Sequence, residues 1–229
     1  AISNQSKKLW HVSNAFIIPE GEKLAKRLAK KTFADFVIFQ NSGTEATEVA
    51  YKLIRLHGQK IGKRRTGVVA FEGAMHGRTL AAVLLGGSEK SRDWIGFDDP
   101  DIHRLQFPSP WACGRKNAHE QAKNDIRILM NNTQDPKKDI AGIMIESYQG
   151  WGAIFYPPEY IKIIAEFARA LYCNAFCPFL QFQLVNITPP IACIAKGFVG
   201  ILERAACVPL ARTEKRNFPV KCTALRYFV

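Results

Sequence analysis

The chain has 229 residues, of which 47% are hydrophobic and 23% charged, and carries a formal net charge of +12 at pH 7. Such a length and apolar content suit one domain with a sizeable core, or a large domain with a small appendage, and exclude a disordered chain. No run of eighteen apolar residues occurs, which argues against a membrane-spanning helix; the polar start Ala1-Ile2-Ser3-Asn4-Gln5-Ser6-Lys7-Lys8 has no export-signal core, so a cytoplasmic setting is expected.

Leu24, Ala25 and Leu28 recur at helical spacing among lysines, which predicts a helix over 19–32 with most of its basic residues in solvent. A strand is expected at 36–40 and a helix at 44–58. The basic cluster Lys60-Ile61-Gly62-Lys63-Arg64-Arg65 follows. An excess of cations suits a nucleic-acid partner, but no aromatic-studded basic stripe and no zinc pattern accompany it, so none is expected. The run Thr66 to Phe71 reads as a strand and 78–85 as a helix. Residues 86–116, rich in Gly, Pro, Asp and aromatic residues, read as a long irregular loop with a functional or interface role. A helix is expected over 117–131, a strand over 139–145, and a helix over 157–171 that starts at Pro157-Pro158-Glu159 and turns Tyr160, Ile161, Ile164, Phe167 and Ala168 inward. Alternating β and α elements imply the α/β class, with a mainly parallel sheet covered by helices on both sides.

The pattern changes after residue 171. Cys173 to Val185 is apolar without a helical or alternating period, and Thr188-Pro189-Pro190 stops whatever precedes it. Of six cysteines only Cys113 lies before residue 170. Cys173 and Cys177 have the spacing of half a metal site, but no second pair follows and the last histidine is His119, so free thiols and no metal are expected.

Candidate chemistry gathers where strands end. Ser42-Gly43-Thr44-Glu45-Ala46 reads as a tight turn into a helix start, with Ser42 as cap and Glu45 reaching back to it. The free amides of a helix's first turn and its positive dipole end form a cradle for a phosphate; the same residues also describe an ordinary capped helix. The second strand runs into Glu72-Gly73-Ala74-Met75-His76-Gly77-Arg78-Thr79 and the third into Glu146-Ser147-Tyr148-Gln149-Gly150. Open α/β sheets bind ligands at such carboxyl ends.

Taken in order, Leu9-Trp10-His11-Val12-Ser13-Asn14, Asn41 to Ala46, Glu72 to Thr79 and Glu146 to Gly150 resemble motifs of the class III aminotransferases, pyridoxal-phosphate enzymes of fold type I that include acetylornithine, ornithine and 4-aminobutyrate aminotransferases. The resemblance spans about residues 7–170. It implies the large domain of that fold, incomplete here, with 1–171 as part of the cofactor-binding domain, 172–229 as a divergent tail and the small C-terminal domain largely missing. It also implies pyridoxal 5'-phosphate as cofactor, an ω-amino donor and a 2-oxo acid as substrates, and a homodimer.

By resemblance, Ser42, Gly43 and Thr44 hold the cofactor phosphate, and Met75 stands where an aromatic residue usually stacks on the ring, a place its polarisable thioether can fill. His76 neighbours the ring, or serves as a hydrogen-bonded turn residue. Glu146 and Gln149 match the family's E-P-x-Q-G with Ser147 in place of proline, and Trp151 stands where ornithine-type members carry an acid. Transamination needs a lysine to bond the cofactor and move the proton, and an acid facing the pyridine nitrogen. Lys196, in Ile194-Ala195-Lys196-Gly197, resembles the family lysine; outside that context it reads as a solvated turn residue. In the family an aspartate follows the proline of this segment, and here Pro190 does. No aspartate follows Asp139 anywhere in the chain, and Phe176-Cys177-Pro178-Phe179 occupies the place of the family's ring-facing aspartate. The chain is therefore expected to be an impaired or inactive aminotransferase, ahead of a reading in which the tail supplies a different partner for the ring nitrogen and modest activity survives. The alternative is a remnant that binds cofactor or forms a dimer without chemistry.

Overall fold

The computed structural model describes residues 1–13, 15–31, 37–146, 149–150 and 152–171, with two short strands at 176–177 and 205–207. In chain order the elements are α1 (Ile2–Ser6), α2 (Pro19–Lys31), β1 (Val37–Phe39), α3 (Gly43–Lys60), β2 (Gly67–Phe71), α4 (Leu80–Leu84) and α5 (Glu89–Arg92), which runs into a 3-10 turn, Asp93–Ile95. There follow β3 (Ile102–Leu105), α6 (Pro110–Asn132), α7 (Pro136–Asp139), β4 (Ile140–Met144), α8 (Pro158–Ala170), β5 (Phe176–Cys177) and β6 (Ala205–Cys207). The expected helices and strands are present within a few residues of their predicted ends, with two exceptions.

The stretch 86–116 is not irregular throughout. It holds α5, the 3-10 turn and β3, and α6 begins at Pro110 rather than near residue 117. Proline ends a helix from within but suits its first turn, where no amide is needed. The second difference concerns β1, which pairs antiparallel with β6, Val37 facing Cys207. It lies outside the four-stranded parallel sheet, whose order is β3-β2-β4-β5.

The central strands β2 and β4 are buried on both faces, which explains why they read as unbroken apolar runs. Every residue of β2 and β4 is buried. Val68 and Ala70 join Ile38, Ala50, Ile54, Leu84 and Leu85 on the side of α3 and α4. Val69 and Phe71 join Ala118, Ala122, Leu129, Tyr160 and Ile164 on the side of α6 and α8. Gly67 pairs with Ile140 but Val68 with Gly142, so β4 carries one extra residue. That bulge lets Ile140 and Ile143, three apart, share one face.

Candidate active site

From β2 the chain passes to β3 on one side, then crosses back to β4 on the other and on to β5. The carboxyl ends of β2 and β4 therefore diverge at a topological switch point, where a crevice opens in this class of sheet. The segment 72–79 leaves β2 at that crevice, and Glu146 follows β4 there.

The turn after β2 is held close. Gly73 N donates to Gly87 O at 2.9 Å and Gly87 N to Ala74 O at 2.7 Å. Arg92, at the end of α5, grips the Glu72 carboxylate with both terminal nitrogens, at 2.9 and 3.2 Å, and also reaches the Gly86 and Gly87 carbonyls at 2.8 and 3.2 Å. This charged fork is mostly buried, with the Arg92 side chain 13% exposed.

Farther along the turn, Gly77 adopts φ 137°, a conformation L side chains rarely take. A Cβ there would lie 2.8 Å from Thr44 Cγ2 and 2.9 Å from Thr44 Cβ. The missing side chain thus seats the turn directly on the start of α3.

At that helix start Ser42 is extended, φ −146° and ψ 163°, and its Oγ accepts from Glu45 N at 3.2 Å. The reciprocal half of the expected capping box is not formed among the described residues, and Glu45 is exposed. The Ala46 amide bonds Ser42 O at 3.0 Å. The amides of Gly43 and Thr44 have no acceptor among the described residues, so two helix-start donors remain beside the Gly77 turn.

The other predicted residues fall around the same turn. Met75 is 40% exposed, whereas His76 is buried and lies against Gly86, its Cδ2 3.3 Å from where a Gly86 Cβ would be. Glu146 is buried at the end of β4. Its neighbour Tyr156 has its phenol pushed well above the ordinary value, first by burial and then by the Glu146 carboxylate. Gln149 is 4% exposed; its amide donates to Ile154 O at 2.8 Å, closing a tight loop, and its Nε2 donates to Gly73 O at 3.5 Å. A groove of about 970 Å³ opens on the Glu72 side of the turn, lined by Glu72, Gly73, Arg92, Arg104, Phe107 and Gln149 among others; Ser42, Gly43, Thr44, Met75, His76 and Glu146 do not line it.

The turn is thus the hub: its first residues meet Gln149 and its last meet Thr44. Lys196, Trp151, Ser147 and the stretch around Pro190 lie outside the described residues. Among the described residues no cluster of three metal-ligating side chains occurs, and no helix is long and apolar enough to cross a membrane. Sequence reasoning missed Arg92, whose partner Glu72 is twenty residues away, and Glu48, whose Oε1 accepts from Thr79 Oγ1 and from the Ala82 amide. A glutamate one helical turn beyond Thr44 was the available signal.

Residues 1–173 match the family described as Aminotransferase class-III. Acetylornithine aminotransferase of Rhodobacter capsulatus is 36% identical over 218 residues, covering 87% of this chain and 49% of that protein. Acetylornithine aminotransferase 1 of Bradyrhizobium diazoefficiens is 40% identical over 172 residues, covering 72% of this chain and 37% of that protein. Among solved structures, taurine:2-oxoglutarate aminotransferase from Bifidobacterium kashiwanohense, in complex with PLP and glutamate, superposes with a TM-score of 0.76 at 19% identity, over 91% of this chain and 50% of that one. An (S)-enantioselective ω-transaminase from Thermomicrobium roseum gives 0.75 at 19% identity, over 90% and 51%. The chain spans about half the length of the curated relatives it matches. Its parallel sheet and flanking helices are the fold of the fold type I transaminases, in part, and the chain belongs to the class III aminotransferase family.

Proposed function

We propose that this chain carries the cofactor-cradling part of a pyridoxal-phosphate-dependent aminotransferase that moves an amino group from an ω-amino donor to a 2-oxo acid. The observation that supports this best is the seating of Gly77 on Thr44, which puts the open amides of Gly43 and Thr44 beside the turn bearing Met75 and His76. A phosphate is the ligand that suits this helix start, because the Gly43 and Thr44 amides, which have no acceptor among the described residues, and the hydroxyls of Ser42 and Thr44 gather there.

In this reading Ser42, Gly43 and Thr44 hold the phosphate, and Met75 covers one face of the ring. His76, Glu146 and Gln149 line the crevice beneath it. When bound, pyridoxal phosphate supplies an electron sink that lets a carbon-bound proton of the amine leave. Lys196 is assigned to bond the cofactor covalently and to carry that proton. The glycine-tied turn and the buried carboxyl ends of β2 and β4 limit water around the reacting atoms.

The division into 1–171 and a divergent tail is likewise a proposal, supported by a family match that ends at residue 173. A homodimer in the cytoplasm completes the reading; the exposed Trp10, Phe16 and Ile17, at 88%, 66% and 73%, support a contact surface near the amino end. One observation favours a second reading, in which cofactor binds without turnover or the chain acts only through protein contacts: no aspartate follows Asp139 to face the ring nitrogen.

Borohydride reduction of the protein with pyridoxal phosphate, followed by mapping of the labelled peptide, tests the assignment. Label at Lys196 is the expected result, and label scattered over surface lysines refutes it. Turnover by the parent that disappears in Lys196→Ala separates the enzyme from the second reading.

A further inference from the structure

Glu48 sits on α3 one helical turn after Thr44, on the same face. Its Oε1 accepts from the Thr79 hydroxyl and, at 3.4 Å, from the Ala82 amide. Thr79 is the residue preceding α4, and its own side chain makes no capping bond to that helix. The Glu48 carboxylate therefore does the capping from outside, placing negative charge at the first turn of α4. Thr79 O in turn accepts from Val83 N at 2.9 Å, and Ala82 is 1% exposed. The segment from Gly73 to Thr79 is thus fixed at both ends: Arg92 and Glu72 hold its beginning, and Glu48 holds its close.

From these contacts we infer that Glu48 is a positioning residue that locks the turn carrying Met75, His76 and Gly77 onto the start of α3. The consequence for cofactor rests on the reading proposed above: with Glu48 in place, Thr44 and Gly77 keep the spacing in which the open amides of Gly43 and Thr44 face one phosphate. The anchor is a carboxylate from the very helix whose amides form the cradle, so the turn is referenced to the cradle and not merely to the sheet.

Hydrogen exchange on the chain without ligand reads the lock directly. Glu48→Ala is expected to speed exchange at the amides of Ala82, Val83 and Gly87 by about tenfold, the scale of losing a charged acceptor, and to leave the Val68 amide in β2 unchanged. Glu48→Gln keeps a carbonyl oxygen for both donors and is expected within about threefold of the parent, which separates positioning from a general loss of structure. In titrations monitored by absorbance, Glu48→Ala is expected to bind pyridoxal phosphate about tenfold more weakly and pyridoxal, which lacks the phosphate, as the parent does. Unchanged exchange in Glu48→Ala overturns the inference even if the parent binds cofactor, as does equal weakening toward both ligands. If the parent takes up no pyridoxal phosphate while Glu48→Ala still loosens the turn, the cofactor reading falls and the positioning role of Glu48 stands.

Discussion

Gly77→Ala tests the contact on which the site is built. The backbone there has φ 137°, and forcing an L residue into such a region costs about 1–3 kcal/mol. The new methyl would also lie 2.8 Å from Thr44 Cγ2, against an ordinary carbon separation of roughly 3.5–4.0 Å. Relief requires the turn and the start of α3 to part, an overpacking cost of about 1–3 kcal/mol more. Gly62→Ala is the matched control. Gly62 is also left-handed, φ 73°, but nothing lies within 4 Å of its added Cβ, so only the conformational cost applies. Urea denaturation is expected to show Gly77→Ala less stable than Gly62→Ala by about 1–3 kcal/mol, with similar m-values. Pyridoxal-phosphate affinity is expected to fall about tenfold to hundredfold in the first and to hold in the second. Trimming the partner as well, in Gly77→Ala with Thr44→Ala, is expected to recover part of the stability only, because Thr44 Cβ still lies 2.9 Å from the new methyl and the φ 137° cost remains, and none of the affinity, because the Thr44 hydroxyl is gone. Equal costs for the two single variants would refute the contact.

Arg92→Ala removes the partner of the Glu72 carboxylate and the donors to two carbonyls; a loss of about 2–4 kcal/mol is expected by urea denaturation, and Arg92→Lys is not expected to restore it because an ammonium cannot span the fork. His103 and His57 have pKa values lowered below 6.5, chiefly by burial, with Arg65 adding to the effect at His103 and Lys60 and Lys63 at His57. Their neutral forms are favoured in the folded chain, so stability is full above pH 6.5 and is lost as pH falls from there through the folded values; denaturation midpoints at pH 7.5 and 5.5 should differ less in His103→Gln than in the parent. Asp125, buried with its Oδ2 2.6 Å from the Tyr160 hydroxyl, is raised above 3.8 by burial against the opposing pull of that bond. Its charge is a cost in the folded state once pH exceeds the folded value, and Asp125→Asn, which keeps an acceptor for Tyr160, is expected to match or exceed the parent's melting temperature at pH 7.

The strands that sequence reveals most clearly are those buried on both faces, because burial forbids polar residues along their whole length. Gly67–Phe71 and Ile140–Met144 are of this kind. Ile102-His103-Arg104-Leu105 is not: among the described residues it pairs only with β2, and its two middle residues are polar and half-exposed. Arg104 forks onto Asp98 and the Leu84 carbonyl, a tertiary bond that offsets its place in a strand and leaves no periodic trace. The motifs of the site were legible as local sequence, since each is a strand end or helix start with its own turn chemistry. Their meeting was not, because it depends on Gly77 lacking a side chain opposite Thr44, thirty-three residues earlier. The clamps Glu72–Arg92 and Glu48–Thr79 are likewise products of packing between elements.

What joins the proposed cradle to the sheet is α3, since the strand preceding it, β1, belongs to the other pairing. Ser42 to Thr44 therefore take their place from how α3 lies on β2 and β4. Near its far end Gly58 comes so close to the sheet that a Cβ would stand 2.6 Å from Ala141 Cβ and 3.2 Å from Thr66 Cγ2. Glycine inside a helix costs roughly 1 kcal/mol relative to alanine, so the close approach at this end is gained against propensity. At the near end Gly77 allows the matching approach to Thr44. Buried Ala46, Ala50 and Ile54 fill the interval between them. A helix resting on small residues at both ends has little freedom to rise from the sheet, and its open amides stay level with the carboxyl ends of β2 and β4. The bulge in β4 acts on the same geometry, because it keeps Ala141 and Met144 turned toward α3 while Ile140 and Ile143 face α8. The proposed anion cradle thus depends on α3's depth on the sheet as much as on the three residues assigned to line it.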